Sequence, residues 1–289
     1  MARRRRFSPR FSGGRSRFRR RGGETLPLKI LAVVVVLVVL AGLGGLFLFV
    51  NQRAAALAAL DPDTLCPKAG PTSQFAVLID RTDALTEVQG EALRRQITAW
   101  AEAVPKHGSL KVYEVGHSGT GGGGALLQPV VSVCNPGDGS DQSSLDSNPE
   151  MWRRRYREKF TAPIQDMLER MRLDEEQKHS PIMEGVQAIA VKDFGPDAPK
   201  GPKTLMVVSD LLQNEDGFSL YKDVPRIDAF WPTPYAASLR VNLTGVHVEV
   251  YMLHRLKAAA KQTDALGKFW IDWLERQGAE VDAFKSVPG

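Results

Sequence analysis

The strongest pattern lies near the start of the chain. Ile30 to Val50 is 21 residues with no charge and no strongly polar side chain. At about 1.5 Å per residue such a helix spans roughly 30 Å, the thickness of a hydrocarbon core. The run predicts one transmembrane helix. A cleaved signal peptide, processed near Ala54 to Ala56, is the competing reading. Against it, the run exceeds the about 7–15 apolar residues of a signal core, and Arg53 abuts the cleavage position. Residues 51–73 then turn Ala-rich and Pro-rich, and read as a stalk.

Beyond the stalk the pattern alternates between two periods. Phe75–Ile79 and Thr204–Val208 are continuous apolar runs, as expected of strands buried on both faces. Leu110–Val115, Pro129–Val133 and Val246–Leu253 add three more strands, and Val281 starts a last short one. Between them apolar residues recur at helical spacing. Thr86 caps a helix over Glu87–Ala103, with Val88, Leu93, Ile97 and Trp100 inward. Behind Pro149 come Trp152, Tyr156, Phe160, Ile164, Met167 and Met171, with Pro163 expected to kink or split the helix. Ser180 opens a short helix over Pro181–Val191. Leu266, Phe269, Trp270, Trp273 and Leu274 face inward from Thr263–Gln277, which Gly278 closes. This alternation predicts one α/β domain over 74–289, with a mostly parallel sheet covered on both faces. Residues 211–244 read as a long insertion.

Charge changes the picture at the N-terminus. Residues 1–29 carry ten Arg and Lys29 against Glu24. The whole chain is +5, so the remainder is −5. The basic pI belongs to the tail, and a nucleic-acid-binding domain is not indicated. The tail lacks apolar periodicity and is expected to be disordered, fixing orientation; anionic lipid or RNA would also suit its arginines. Only Arg53 follows the span closely, so the N-terminus is expected in the cytoplasm. The domain is then extracytoplasmic, and periplasmic in a bacterium. Cys66 and Cys134 both fall on that side, and an even count there suggests one disulfide, with two free thiols as the alternative.

Candidate chemistry gathers at strand ends. Asp80-Arg81-Thr82-Asp83 follows the first strand, Ser180 starts a helix, and Ser209-Asp210 follows the fourth strand. In open α/β sheets, ligands bind beyond the carboxyl ends of the strands. Carboxylate and hydroxyl oxygens suit a hard divalent cation such as Mg²⁺. The alternative is that Asp80 and Asp210 simply shape turns.

The order of elements and these three points resemble a von Willebrand factor A domain. That family carries a metal-ion-dependent adhesion site, D-x-[ST]-x-S, followed by a Thr and then an Asp. The matches are Asp80 and Thr82 in IDRTDA, Ser180 in HSPIMEGVQAIA, and Asp210 in VVSD, over roughly residues 74–283. Ala84 stands in place of the second Ser. The resemblance implies a three-layer, Rossmann-like α/β sheet, with the second and third strands as an antiparallel edge hairpin. It implies Asp80, Thr82, Ser180 and Asp210 around Mg²⁺ or another divalent ion. It also puts Cys66 and Cys134 together at the bottom of the sheet.

Other motifs lack their context. Gly119 to Gly124 satisfies G-x-G-x-x-G, but a strand rather than a helix follows. Asp80 begins a haloacid-dehalogenase-like run, yet Thr82 replaces the second acid. The five His are scattered, and Asn242 to Thr244 is a short sequon. The expected function is a membrane-anchored, extracytoplasmic protein-binding module, with Phe218, Tyr221, Phe230, Trp231 and Tyr235 of the insertion overhanging the site as partner anchors. A metal-dependent phosphohydrolase and a metal-free structural subunit of an envelope complex are the alternatives.

Overall fold

The computed structural model describes residues 25–82, 84–116, 127–140, 148–170, 179–196 and 198–289. The tail over 1–24, Asp83, the stretch Gly119 to Gly124 and Met171 lie outside the described residues. The chain divides into two units, Met1–Leu57 and Ala58–Gly289. In the first, helix α1 (Thr25–Ala58) contains the apolar run. Its segment Ile30–Leu48 has mean hydropathy 3.0 and is long and apolar enough to cross a membrane. Leu31, Leu37 and Leu46 are all exposed on it, so the helix is apolar all round rather than on one stripe.

The stalk expected over 51–73 is not a free linker. α1 runs through its first half, and Leu60 and Leu65 are buried in the second unit. A disulfide joins Cys66 to Cys134 with Cα atoms 5.0 Å apart. Cys134 pairs in register with Ser109, the first residue of the neighbouring strand, so the bridge sits at the bottom of the sheet, as expected.

The second unit begins with β1 (Gln74–Asp80), α2 (Glu87–Ala103), β2 (Ser109–Val115) and β3 (Pro129–Cys134). α3 (Pro149–Tyr156), a π turn (Arg157–Thr161) and α4 (Ala162–Arg170) follow. Next come α5 (Ile182–Asp193) and β4 (Lys203–Ser209). The insertion holds the small strands β5 (Asn214–Glu215) and β6 (Phe218–Ser219) and the short helices α6 (Ile227–Phe230) and α7 (Pro234–Ser238). β7 (Val246–Leu253), α8 (Asp264–Arg276) and β8 (Glu280–Val287) complete it.

The six long strands form one sheet in the order β3-β2-β1-β4-β7-β8. All neighbours are parallel except β2 and β3. This is the mostly parallel sheet with an antiparallel edge hairpin that the sequence predicts. Alternate residues of β1 point to opposite layers. Val77 and Ile79 pack with Leu93, Ile97 and Trp100 of α2 and with Phe160 and Ile164. Ala76 and Leu78 pack with Ile182, Val186 and Ile189 of α5 and with Trp270 and Trp273 of α8.

Two local readings are refined. Pro163 does not split its helix. Having no N–H, it cannot donate to the carbonyl four residues back, and the preceding turn widens so that the Ala162 N–H reaches Arg157. In α2, Val88 is exposed and Gln89 is buried in its place.

From β1 the chain first builds outward to β2 and β3, then returns to β4 on the other side of β1. The carboxyl ends of β1 and β4 therefore flank the switch point, where open α/β sheets form a crevice.

Candidate functional site

Asp80 ends β1 and is 2% exposed. A carboxylate this deep needs donors. Its Oδ1 accepts the Thr82 N–H at 3.0 Å. Its Oδ2 accepts the Ser209 hydroxyl at 2.7 Å and the Ser180 hydroxyl at 3.3 Å. Ser180 is placed by a two-way backbone bridge to Asn214, at 2.9 and 3.1 Å. Gly116, with φ +82°, brings the end of β2 against Thr82; an added Cβ would lie 2.4 Å from the Thr82 methyl.

Asp210 follows β4 and is 1% exposed. The chain turns sharply there, because Leu211 adopts a left-handed φ of 66°. That turn lets the Leu211 N–H donate to Ser209 Oγ at 2.8 Å and the Leu212 N–H donate to Asp210 Oδ1 at 2.9 Å. The Trp270 indole N–H donates to the Leu211 carbonyl at 2.8 Å, fixing the turn to α8.

Arg255, just beyond β7, completes the cluster. Its Nε lies 4.0 Å from Asp210 Oδ2, and its side chain is only 10% exposed. Its Nη1 donates to the carbonyl of Ala84. Gln262 holds this arginine in place. Its Oε1 accepts the Arg255 N–H at 2.7 Å, while its Nε2 donates to Leu253 at 2.7 Å and to the Asp210 carbonyl at 3.1 Å. From the other side Gln89 Nε2 donates to the His254 carbonyl at 2.7 Å and Gln89 Oε1 accepts the Thr86 N–H at 3.2 Å.

The structure thus brings together Asp80, Thr82, Ser180, Ser209 and Asp210, and adds Arg255, Gln262 and Gln89. Nothing in the local sequence around Arg255 or Gln262 marks them for this site. Several features of the set weigh against a divalent ion. Both oxygens of Asp80 already accept protein donors. Ala84 contributes only a carbonyl, and Arg255 takes it. The Arg255 guanidinium lies beside Asp210. Among the described residues no group of three His, Cys, Asp or Glu is placed to hold a metal.

The insertion departs from expectation. Only its start, through Asn214, lies along the site. Its far end ties to α8: the Leu243 N–H donates to the Gln277 carbonyl at 2.8 Å, and Gln277 Nε2 donates to Leu239 at 3.0 Å. Most of the segment therefore packs into the core layer it shares with α5 and α8. Phe230 is 2% exposed and belongs to the core, not to a partner-facing surface. It packs on Phe218 with ring centroids 4.5 Å apart and on Phe269 at 5.2 Å. Trp231 is half-buried, with Arg240 and Arg276 guanidinium carbons 5.0 and 5.5 Å from its ring. Tyr221 alone among the five reaches clear exposure, at 38%.

Tyr235 anchors a second polar group. Its hydroxyl donates to Glu184 Oε1 at 2.5 Å, and Gln213 Nε2 donates to Glu184 Oε2 at 2.8 Å. Burial, then the bond to Glu184, pushes the phenol far above its ordinary range. Glu215 lies nearby, 3.4 Å from His179 Nδ1. Burial first, and then the Glu184 charge, raises its carboxyl above the usual value.

No family model matches the sequence. No curated protein matches it either. Among solved structures, the SpRpn10 VWA domain is 11% identical, with 75% of this chain and 88% of that one covered and a TM-score of 0.38. The conserved hypothetical protein BatB from Bacteroides thetaiotaomicron is 12% identical, with 76% and 91% covered and a TM-score of 0.38. At these values the likeness says nothing about partners or chemistry.

Proposed function

We propose that the chain is a membrane-anchored protein-binding module. The Arg-rich N-terminus lies in the cytoplasm, α1 holds the chain in the bilayer, and the α/β domain works on the far side. The observation that carries the reading is the construction of the switch-point cluster. Segments following β1, β4 and β7, with Ser180, bind one another, and Asp80, Thr82, Gln89, Ser180, Ser209, Asp210 and Arg255 are all at most 9% exposed. Such a cluster holds loops in a fixed arrangement. A face of fixed loops is what a protein partner reads.

Among the described residues, Leu256 at 81% and Val88 at 58% are exposed apolar residues on the rim of this face. The 84–89 segment abuts the 254–255 segment through the Ala84 and Gln89 bonds, so both lie at the same end of the domain. Photo-crosslinking side chains placed in the full chain at 256 and 88, in native membranes, test the reading. The expected outcome is one defined protein adduct from both positions and none from 191, an exposed position on α5. Absence of a rim adduct, or equal capture from 191, overturns it.

A further inference from the structure

We infer that Arg255 is the built-in cation of this domain: its guanidinium takes the charge-balancing place of a divalent ion, so the site face is assembled without metal. The inference rests on the protein-binding reading only for what the face is used for. Its geometry stands separately.

Two carboxylates, Asp80 and Asp210, end or follow the adjacent strands β1 and β4, and both are almost wholly buried. Charges this deep require compensation. Asp80 has three donors of its own. Asp210 Oδ1 accepts the Leu212 N–H, and Arg255 Nε stands 4.0 Å from Asp210 Oδ2, an ion-pair contact longer than a hydrogen bond. The same guanidinium binds the carbonyl of Ala84, two positions beyond Thr82 in the D-x-[ST]-x-S stretch. One side chain therefore links the two places where this sequence would have held an ion, the stretch after β1 and the acid after β4. At one of them the hydroxyl is missing, since Ala stands there.

The arginine is also held fast. Gln262 binds its backbone N–H and the Asp210 carbonyl together, so strand ends β4 and β7 are clamped across the guanidinium. Gln89 fastens the adjacent His254 carbonyl to the start of α2. A divalent ion entering beside the guanidinium would meet like charge in a site of low dielectric.

The test uses the full chain in detergent or nanodiscs and needs no partner. Mn²⁺ binding is read by electron paramagnetic resonance, and stability by thermal melting with Mg²⁺ or with EDTA. The expected result is no stoichiometric Mn²⁺ signal, and the same melting temperature in Mg²⁺ and in EDTA. Arg255→Ser is expected to lower melting by roughly 10 °C, because it removes the cation beside a buried carboxylate. Adding Asp210→Asn to that variant is expected to recover part of the loss, the signature of a coupled pair. Stoichiometric Mn²⁺ binding by the wild-type chain overturns the inference, whether or not the Arg255 variant folds. So do losses from Arg255→Ser and Asp210→Asn that simply add. Either outcome leaves the crosslinking result untouched, and failed crosslinking leaves this one untouched.

Discussion

At the scale of single residues, the domain's polar interior is organised by side chains that bind backbone from another element. Gln89 is the clearest case. It completes a capping box with Thr86 and also reaches across to the end of β7. Val88, which the helical spacing favours for burial, is left outside because Gln89 has three backbone partners to satisfy. Glu215 shows the opposite situation, a carboxylate in a poor environment. Its Oε1 is buried without a hydrogen-bond partner, Glu184 adds a like charge, and only His179 offsets this. Its pKa in the unfolded chain is close to 4.5, and folding raises it. The folded state therefore binds the proton more tightly, so this residue favours folding below the unfolded value and loses stability as pH rises toward the folded value. Glu215→Gln is expected to melt higher than wild type at neutral pH and to show no advantage once the pH is below 4.5. Equal melting differences at both pH values would show that ionisation is not the cause.

At the scale of elements, the insertion after β4 behaves as part of the core. Phe218, Phe230, Tyr235 and Phe269 interlock, and Gln277 stitches the insertion's far end to α8. Truncating Phe230 removes the centre of this group. Phe230→Ala is expected to cost about 3–5 kcal/mol, read by denaturant unfolding. A cost below about 1 kcal/mol would mean that the insertion is a loosely held lid instead. The helix of α3 and α4 makes a related point. Pro163 reads as a break, yet a π turn absorbs it, because Phe160 and Ile164 on either side must both reach the same core.

At the scale of the whole molecule, the bridge between Cys66 and Cys134 joins the segment before β1 to the far edge of the hairpin. It closes a loop of 68 residues at the bottom of the sheet, opposite the polar cluster. Chain entropy assigns such a loop about 4 kcal/mol. Replacing both cysteines with serine is expected to lower unfolding free energy by up to that amount, and to leave the rim crosslinks in place. The same bridge reports the compartment. Rapid alkylation of cells followed by a non-reducing gel is expected to show the chain oxidised, as an extracytoplasmic domain requires. A chain trapped fully reduced would contradict the proposed orientation.

Much of this was legible along the chain, for a reason that differs by feature. The apolar helix follows from 21 consecutive residues, a strictly local property. The strands follow from runs such as FAVLI and TLMVV, whose burial on both faces leaves no polar alternation. Asp80, Thr82, Ser180 and Asp210 could be grouped because strand ends are read from the same runs. The tertiary structure alone decided what those groups do. Arg255 and Gln262 lie far along the chain from Asp80, and nothing in their local pattern distinguishes them from surface residues. They meet the acids only because β7 is laid beside β4 in register. Hydrophobic periodicity encodes which face a residue turns to the core. Charge compensation depends on which strand becomes the neighbour, and that is a property of the assembled sheet.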